Sequence, residues 1–128
     1  MSEKRLLVVD DEKVILHLFE KAFSKIGYDV CTATSGEAAL EVVRKQKIHV
    51  MFLDLNMPEM DGLELCRRIK KQLPMSVIYA MTGYASLFDL AACRDAGFDD
   101  YFKKPVNLDL LKDAARQGFE RIERWKKT

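Results

Sequence analysis

The feature that most constrains the fold of this chain is a fivefold alternation of short apolar runs with longer amphipathic segments. The apolar runs, which we expect to be strands, are residues 5–9, 28–34, 50–54, 76–82 and 100–104. The amphipathic segments, which we expect to be helices, are residues 12–26, 35–46, 62–73, 85–97 and 107–127. Strands that alternate with helices pack as a parallel sheet with helices on both faces, joined by right-handed crossovers. The sequence therefore predicts a doubly wound α/β fold with a five-stranded parallel sheet.

Local signals at the helix ends and along the helix faces support this interpretation. Ser35 and Asn107 precede their helices as capping residues, and Gly27 and Gly97 close two others. In the first helix, apolar residues at three-four spacing predict a core-facing stripe at Val14, Ile15, Leu18, Ala22 and Ile26. A similar stripe in the last helix is expected at Leu111, Ala115, Gly118, Ile122 and Trp125.

Size and composition indicate one domain over residues 1–128, and they exclude several kinds of partner. A formal net charge of +1 gives no strong field for nucleic acid or anionic lipid. No stretch is long and apolar enough to span a bilayer, and the early acidic residues leave no room for a signal-peptide core. The three cysteines, Cys31, Cys66 and Cys93, lack metal-site spacing, and buried thiols suit a reducing compartment. We expect a cytoplasmic protein that contacts neither membrane nor DNA directly.

Polar and charged residues stand where four of the predicted strands end. The first, third, fourth and fifth apolar runs end at Asp10-Asp11-Glu12, Asp54, Thr82-Gly83 and Lys104-Pro105. Sites in open parallel sheets form at the carboxyl ends of strands, so we expect these residues to meet in one cleft. Two carboxylates about 4 Å apart repel by roughly 4 kcal/mol at an effective dielectric near ~20, and a proton, a lysine or a metal relieves the repulsion. Oxygen ligands without histidine or cysteine favour Mg²⁺, although each acid taken alone could be a solvated loop residue.

Motifs of two other classes of protein with strand-end sites are incomplete or absent. The loop "DDEKV" after the first strand would repel the flavin phosphate that flavodoxin-like proteins bind there, and no Gly-rich nucleotide motif follows that strand. Haloacid-dehalogenase-type phosphatases place a proton-transferring aspartate two residues after the nucleophile. This chain has Asn56 at that position after Asp54, and an amide cannot transfer a proton. A Mg²⁺-dependent aspartyl-phosphate phosphatase stays as the alternative function.

Four motifs resemble those of one known family, the receiver domains of two-component response regulators. They are "LLVVDDE", "FLDLNMPEMDGLEL", "AMTGYA" and "YFKKPV", and the resemblance covers residues 5 to about 125. Each motif alone is moderately specific, whereas all four in this order and spacing are highly specific. The resemblance implies a flavodoxin-like receiver fold with strand order 2-1-3-4-5.

The resemblance also implies roles for individual residues. Asp54 would accept a phosphoryl group as an aspartyl phosphate. Asp11 and Asp54 would ligate Mg²⁺ directly, together with the backbone carbonyl of Asn56, while Asp10 would hold the ion mainly through water. Lys104 would pair with Asp54 or with its phosphoryl oxygens.

A second set of residues would pass the phosphorylation signal to the surface. Thr82 would donate its hydroxyl to the phosphoryl group, and the backbone amide of Gly83 would be a further donor. Tyr101 matches the aromatic switch position, so movement of Thr82 and Tyr101 would repack the surface made by the fourth helix, the fifth strand and the fifth helix. Tyr84 is expected to flank the site and gate access for water.

The phosphoryl donor implied by the resemblance is a histidine kinase or a histidine phosphotransfer protein. The output is an unidentified protein target, with a phosphorylation-dependent homodimer as a further possibility, and the only chemistry is self-phosphorylation and autodephosphorylation, so we expect no enzyme. The sequence leaves open whether the receiver stands alone or belongs to a longer chain, and whether the bond before Pro105 is cis. Gly62 is expected to permit a turn with positive φ, and Lys103 is expected to face solvent.

Overall fold

Ten elements alternate between strand and helix along the chain, as the apolar pattern predicts. The computed structural model describes residues 4–83 and 87–126. The elements are β1 (Arg5–Val9), α1 (Lys13–Ser24), β2 (Asp29–Ala33), α2 (Gly36–Lys45), β3 (Val50–Asp54), α3 (Gly62–Gln72), β4 (Val77–Thr82), α4 (Leu87–Ala96), β5 (Asp100–Lys103) and α5 (Leu108–Lys126).

The five strands form one sheet in the order β2-β1-β3-β4-β5, and all neighbouring strands are parallel. This confirms the predicted fold class and strand order. β1 pairs with β2 on one side and with β3 on the other, so the chain changes its winding direction there. At such a point the loops that follow the two strands separate to opposite faces and leave a crevice at the carboxyl edge.

Helices cover both faces of the sheet and create two apolar layers. Successive strand residues point to opposite faces, so Leu6 and Val8 pack with α1 and α5, while Leu7 and Val9 pack with α2, α3 and α4. β3 is buried along its whole length. Among the helices of the described ranges 4–83 and 87–126, none is long and apolar enough to cross a membrane.

The predicted core face of α1 is wrong at Val14, Leu18 and Ile26, which are exposed, and right at Ile15 and Ala22, which are half-buried and pack against the core. The helix buries Leu16, Phe19 and Phe23, whereas Val14 is 79% exposed and Leu18 is also exposed. The helix carries apolar residues on two faces at three-four spacing, so periodicity alone does not choose between them. Tertiary packing does, because the ring of Phe19 lies 5.4 Å from that of Phe23 and 5.5 Å from that of Phe52, between centroids.

The predicted helix ends agree with the structure. The hydroxyl of Ser35 accepts a hydrogen bond from the amide of Ala38, and the side chain of Asn107 accepts from the first turn of α5. Gly27 and Gly97 have φ of +94° and +109°, the left-handed region that favours glycine. The stripe of α5 is buried as expected except at its end, where Trp125 is 59% exposed.

Candidate functional site

Three carboxylates meet at the carboxyl edge of the sheet, and we name Asp10, Asp11 and Asp54 the acidic pocket. Each offers an oxygen that lies within 4.8 Å of the others. The sheet register produces this cluster, because Val9 pairs with Leu53 and the next residue on each strand is an aspartate. Asp10 is fully buried and Asp54 is 3% exposed, while Asp11 lies on the surface. The pocket thus has two shielded carboxylates and one that faces solvent.

The side chain of Lys104 reaches the acidic pocket from the end of β5. Its ammonium nitrogen lies 2.9 Å from Asp10 Oδ2 and 3.5 Å from Asp54 Oδ1. The backbone amide of Lys104 donates to the carbonyl of Thr82 at 2.7 Å, which fixes the chain next to β4, and the bond to Pro105 is cis. Lys103 is exposed. The structure therefore brings Lys104, and not Lys103, to the pocket.

The two oxygens of Asp10 are both engaged by donors from the protein. Oδ2 accepts from Lys104, and Oδ1 accepts from the backbone amide of Glu12 at 2.9 Å. Oδ1 of Asp54 accepts from the backbone amide of Asn56 at 3.2 Å. Sequence analysis anticipated the carbonyl of Asn56 as a group of interest but missed its amide, which is a donor that any residue other than proline offers.

Burial is the main influence on the protonation of Asp54. The pKa of the carboxyl is raised from 3.8 to about 6, chiefly by burial, with smaller contributions from the charges of Asp10 and Asp11. The amide of Asn56 and the ammonium of Lys104 act in the opposite direction but do not cancel it. A pKa of about 6 leaves Asp54 mostly ionised at neutral pH, and burial, more than repulsion from Asp10 and Asp11, is what disfavours its charged form.

The same surroundings affect Lys104 in the opposite sense. Burial by itself lowers the pKa of the ammonium group, but the hydrogen bond from Lys104 to Asp10 and the charges of Asp10, Asp54 and Glu12 raise it above its usual value. Lys104 is therefore a firmly charged cation at physiological pH.

The donor set of the acidic pocket fits Mg²⁺. Three carboxylates and one ammonium leave an excess of two negative charges, which a divalent cation neutralises. The oxygen-only ligands are those that Mg²⁺ prefers, and the exposed Asp11 leaves a path for an ion that retains several waters. No histidine or cysteine belongs to the cluster, which disfavours zinc.

The loop from β3 to α3 passes directly over Asp54, and here one prediction is wrong. Gly62 is the first residue of α3 and does not have positive φ; the left-handed residue of this loop is Glu59, at φ 67°. Glycine is required at position 62 for a different reason, because a Cβ there would overlap the carbonyl oxygen of Asp54 and the Cα of Leu55. Asp61 caps α3 by accepting from the amide of Glu64 at 2.9 Å.

The residues expected to transmit the signal lie on β4 and β5. Asp54 pairs with Met81 in the sheet register, so buried Thr82 stands one residue beyond the partner of Asp54. Gly83 follows on the surface. Tyr101, in the middle of β5, is half-buried and packs against the apolar layer of α2, α3 and α4. Tyr84 lies outside the described residues.

A polar centre that was not predicted from the sequence lies at the opposite end of β4 and β5. The carboxylate of Asp99 accepts hydrogen bonds from Arg121 at 2.7 Å, from the backbone amide of Ile78 at 2.8 Å and from Lys70 at 3.2 Å. It thereby connects α5, β4 and α3. Nothing in the local sequence "GFDDYF" distinguishes this aspartate from its neighbour Asp100.

Comparison with known proteins agrees with this geometry. Residues 6–116 match the sequence profile described as response regulator receiver domain. The chain is 32% identical to sporulation initiation phosphotransferase F of Bacillus subtilis over 91% of its own length and 94% of that protein. It superimposes with a TM-score of 0.88 on a crystal structure of a CheY-like response regulator receiver domain protein from Methanospirillum hungatei, at 32% identity, covering 96% of this chain and 99% of that one.

Other relatives are longer than this chain. The alkaline phosphatase synthesis transcriptional regulatory protein PhoP of Bacillus subtilis is 38% identical over 81% of the chain, and the match covers 43% of PhoP. The chain spans about half the length of the curated relatives it matches first.

Proposed function

The chain belongs to the response regulator receiver domain family, whose members are signalling modules and not catalytic enzymes, and on this premise we propose that Asp54 is its phosphoryl acceptor. The observation that carries the proposal is the position of Asp54: a shielded carboxylate at the end of β3, with two further acids and one ammonium around it. Of these acids, Asp54 is the one at the centre of the sheet's carboxyl edge, between β1 and β4.

The proposed reaction is an in-line transfer. An oxygen of the ionised Asp54 attacks the phosphorus of a phosphohistidine on the donor; a new P–O bond forms, the P–N bond breaks, and its electron pair returns to the imidazole nitrogen. Such transfers depend on positioning and on neutralising charge on the equatorial oxygens. Lys104 supplies one positive charge within 3.5 Å of Asp54. Backbone amides such as that of Gly83 would donate to the remaining oxygens.

We propose that Asp11, Asp54 and the carbonyl of Asn56 hold Mg²⁺ directly and that Asp10 holds it through water. When bound, the ion would supply the positive charge that the three carboxylates and the phosphoryl oxygens require. The indirect role of Asp10 is supported by the two hydrogen bonds that it accepts, from Lys104 and from the amide of Glu12, which engage one lone pair on each of its oxygens.

The proposed output is a change in the surface formed by α4, β5 and α5. Thr82 follows the β4 residue that pairs with Asp54, and the next strand carries Tyr101, which pairs with Ala80. Movement of the Thr82 hydroxyl toward the phosphoryl group would change the packing beside Tyr101, and a bound partner would read the difference between two such states.

The proposed partners follow from the reaction. A histidine kinase or a histidine phosphotransfer protein would supply the phosphoryl group, and a downstream protein, or a second copy of the chain in a phosphorylation-dependent homodimer, would read the output surface. We propose no direct contact with nucleic acid or membrane. A cytoplasmic location is also part of the proposal, supported by Cys66 and Cys93, which are buried free thiols of the kind that persist in a reducing compartment.

Intact-mass analysis after incubation with acetyl phosphate and Mg²⁺ tests the proposal. We expect one added phosphoryl group on the wild-type chain, none with EDTA, and none on the Asp54→Asn variant. Asp61→Asn is the matched control, because it removes an acid from the same loop while asparagine can still cap α3, and it should be labelled normally. Labelling of Asp54→Asn equal to wild type would refute the acceptor. Sustained turnover of a phosphomonoester by the wild type would favour the phosphatase alternative.

A further inference from the structure

A cleft of about 780 Å³ lies at the edge of the sheet opposite the acidic pocket. Its walls carry six side chains of basic residues, and we name this site the basic cleft: Arg5, Arg44, Lys45, Lys47, His49 and Lys126. The chain as a whole has a formal net charge of only +1. The basic residues of the cleft are therefore concentrated there by the fold, and not because the chain has a large excess of basic residues.

Topology brings these residues together from four parts of the chain. β1 begins at Arg5, and β3 begins directly after His49. α2 and α5, which run opposite to the strands, end at Lys45 and Lys126. The amino ends of strands and the carboxyl ends of helices therefore share one edge, just as the strand-end acids share the other.

Acidic residues offset only part of this positive charge. Three of the cations have a carboxylate neighbour, in the pairs Arg5–Asp29 (3.0 Å), Arg44–Glu41 (3.8 Å) and Lys126–Glu123 (3.9 Å). Lys45 and Lys47 form no ion pair with any residue in the described ranges. The cleft thus retains at least two cations that can accept an external anion.

Helix dipoles account for some of these residues but not for all. Basic side chains in the last turn of a helix offset its negative end, and this explains Arg44, Lys45 and Lys126. Arg5, Lys47 and His49 belong to no helix, and Arg5 is accounted for by its ion pair with Asp29 on the neighbouring strand. The positions of Lys47 and His49 at this edge follow from neither of these contacts.

His49 lies among the cations of the cleft. The imidazole is half-buried, and burial lowers its pKa; the charges of Lys126 and Lys47 lower it further. The ring is therefore neutral at physiological pH and surrounded by cations. An anion placed between these cations would reverse their effect on the ring.

We propose that the basic cleft is a binding site for a nucleoside phosphate, with the phosphates on Lys45 and Lys47 and the base stacked on a neighbouring guanidinium group. The half-buried side chain of Leu73, which also lines the cleft, offers the base an apolar contact. The volume lies within the range of roughly 300–1,000 Å³ that is usual for small-molecule sites. Arginine binds phosphate through two hydrogen bonds and also stacks on flat rings, and lysine contributes a point charge.

Titration of the whole chain with ATP in the presence of EDTA tests this site separately from the acidic pocket. The pocket is negatively charged and could bind ATP only through Mg²⁺, which EDTA removes. We expect ATP to shift the imidazole resonances of His49 and to raise its pKa. The Lys45→Gln/Lys47→Gln double variant should bind ATP at least about tenfold more weakly, because it loses charge-assisted hydrogen bonds. Lys13→Gln/Lys21→Gln, with the same loss of charge on the exposed face of α1, should bind ATP as the wild type does.

Three results would overturn the proposal. They are absence of ATP binding, equal weakening in the two double variants, and binding of inorganic tripolyphosphate as tight as that of ATP, which would leave no role for the nucleoside. The inference does not depend on the proposed function, because the basic cleft and the acidic pocket lie at opposite edges of the sheet. Acetyl phosphate should therefore still label Asp54 in the Lys45→Gln/Lys47→Gln variant.

Discussion

The ammonium nitrogen of Lys104 lies 2.9 Å from a carboxylate oxygen of Asp10, a residue with no exposed surface. The same nitrogen is 3.5 Å from Asp54. Asp10 therefore holds the lysine in place next to the proposed phosphoryl acceptor. This relationship separates two roles of Lys104, since it stabilises a buried acid in the folded protein and would supply charge for the proposed phosphoryl transfer.

Replacement of Lys104 by methionine should affect these two roles differently. The variant leaves Asp10 buried without its cation, and we expect the free energy of unfolding in EDTA to fall by about 3 kcal/mol. Mg²⁺ should bind more tightly, because the competing ammonium is gone, yet labelling by acetyl phosphate should slow by at least about tenfold, a change that corresponds to roughly 1.4 kcal/mol in the barrier. Denaturant titration, calorimetry and intact mass measure the three quantities.

Lys103→Met is the matched control for this experiment. It removes the same charge from the adjacent, exposed residue. Its stability, Mg²⁺ affinity and labelling rate should stay near those of the wild type, and a loss equal to that of Lys104→Met would contradict the assignment of the pocket lysine.

Substitution of Gly62 by alanine should disturb the floor of the acidic pocket. The added Cβ meets backbone atoms of Asp54 and Leu55, which cannot move aside as a flexible side chain does. We expect a loss of roughly 2 kcal/mol in the free energy of unfolding and weaker Mg²⁺ binding. Gly83→Ala is the control, because nothing lies within 4 Å of a Cβ at that position and its loss should stay below about 0.5 kcal/mol. Equal stability of the two variants would show that the overlap is relieved without cost.

Sequence patterns predicted the acidic pocket because the topology of the sheet determines it. Parallel strands bring Asp10 and Asp54 to the same carboxyl edge, and the pairing of β1 with β3, which the family resemblance implied, makes them neighbours. The buried face of α1 could not be predicted in this way, since Val14 and Phe19 lie on different faces that are both apolar, and packing against the core, which includes the ring of Phe52, selects between them. The basic cleft follows from the same topological rule, but its residues come from helix ends and strand starts that carry no motif.

Replacement of Asp99 by asparagine should destabilise the fold where α3, β4 and α5 meet. The carboxylate accepts hydrogen bonds from Lys70, Arg121 and the amide of Ile78, and asparagine would place an N–H group against one of the two cations. We expect the free energy of unfolding to fall by about 2 kcal/mol. Asp100→Asn, at the exposed neighbour, should change it much less. If chemical denaturation finds the two variants alike, the Asp99 contacts contribute little.

Stability should depend on pH through His49. Its pKa is lower in the folded protein than in the unfolded chain, because of burial and the charges of Lys126 and Lys47. The unfolded state therefore binds the proton more readily, and the folded state should lose stability as pH falls below the ordinary imidazole value of about 6.5. His49→Gln should remove this component of the pH profile, and Lys126→Gln should reduce it. An unchanged profile in His49→Gln, measured by denaturation between mildly acidic and neutral pH, would contradict the prediction.

The central claim is that one particular carboxylate accepts the phosphoryl group. Borohydride reduction converts an aspartyl phosphate to homoserine, so treatment of the chain after acetyl phosphate and Mg²⁺, followed by tandem mass spectrometry of its peptides, identifies the modified position. The account predicts homoserine at position 54 and unmodified aspartate at positions 10 and 11. Homoserine at either of those two positions, with none at 54, would contradict it.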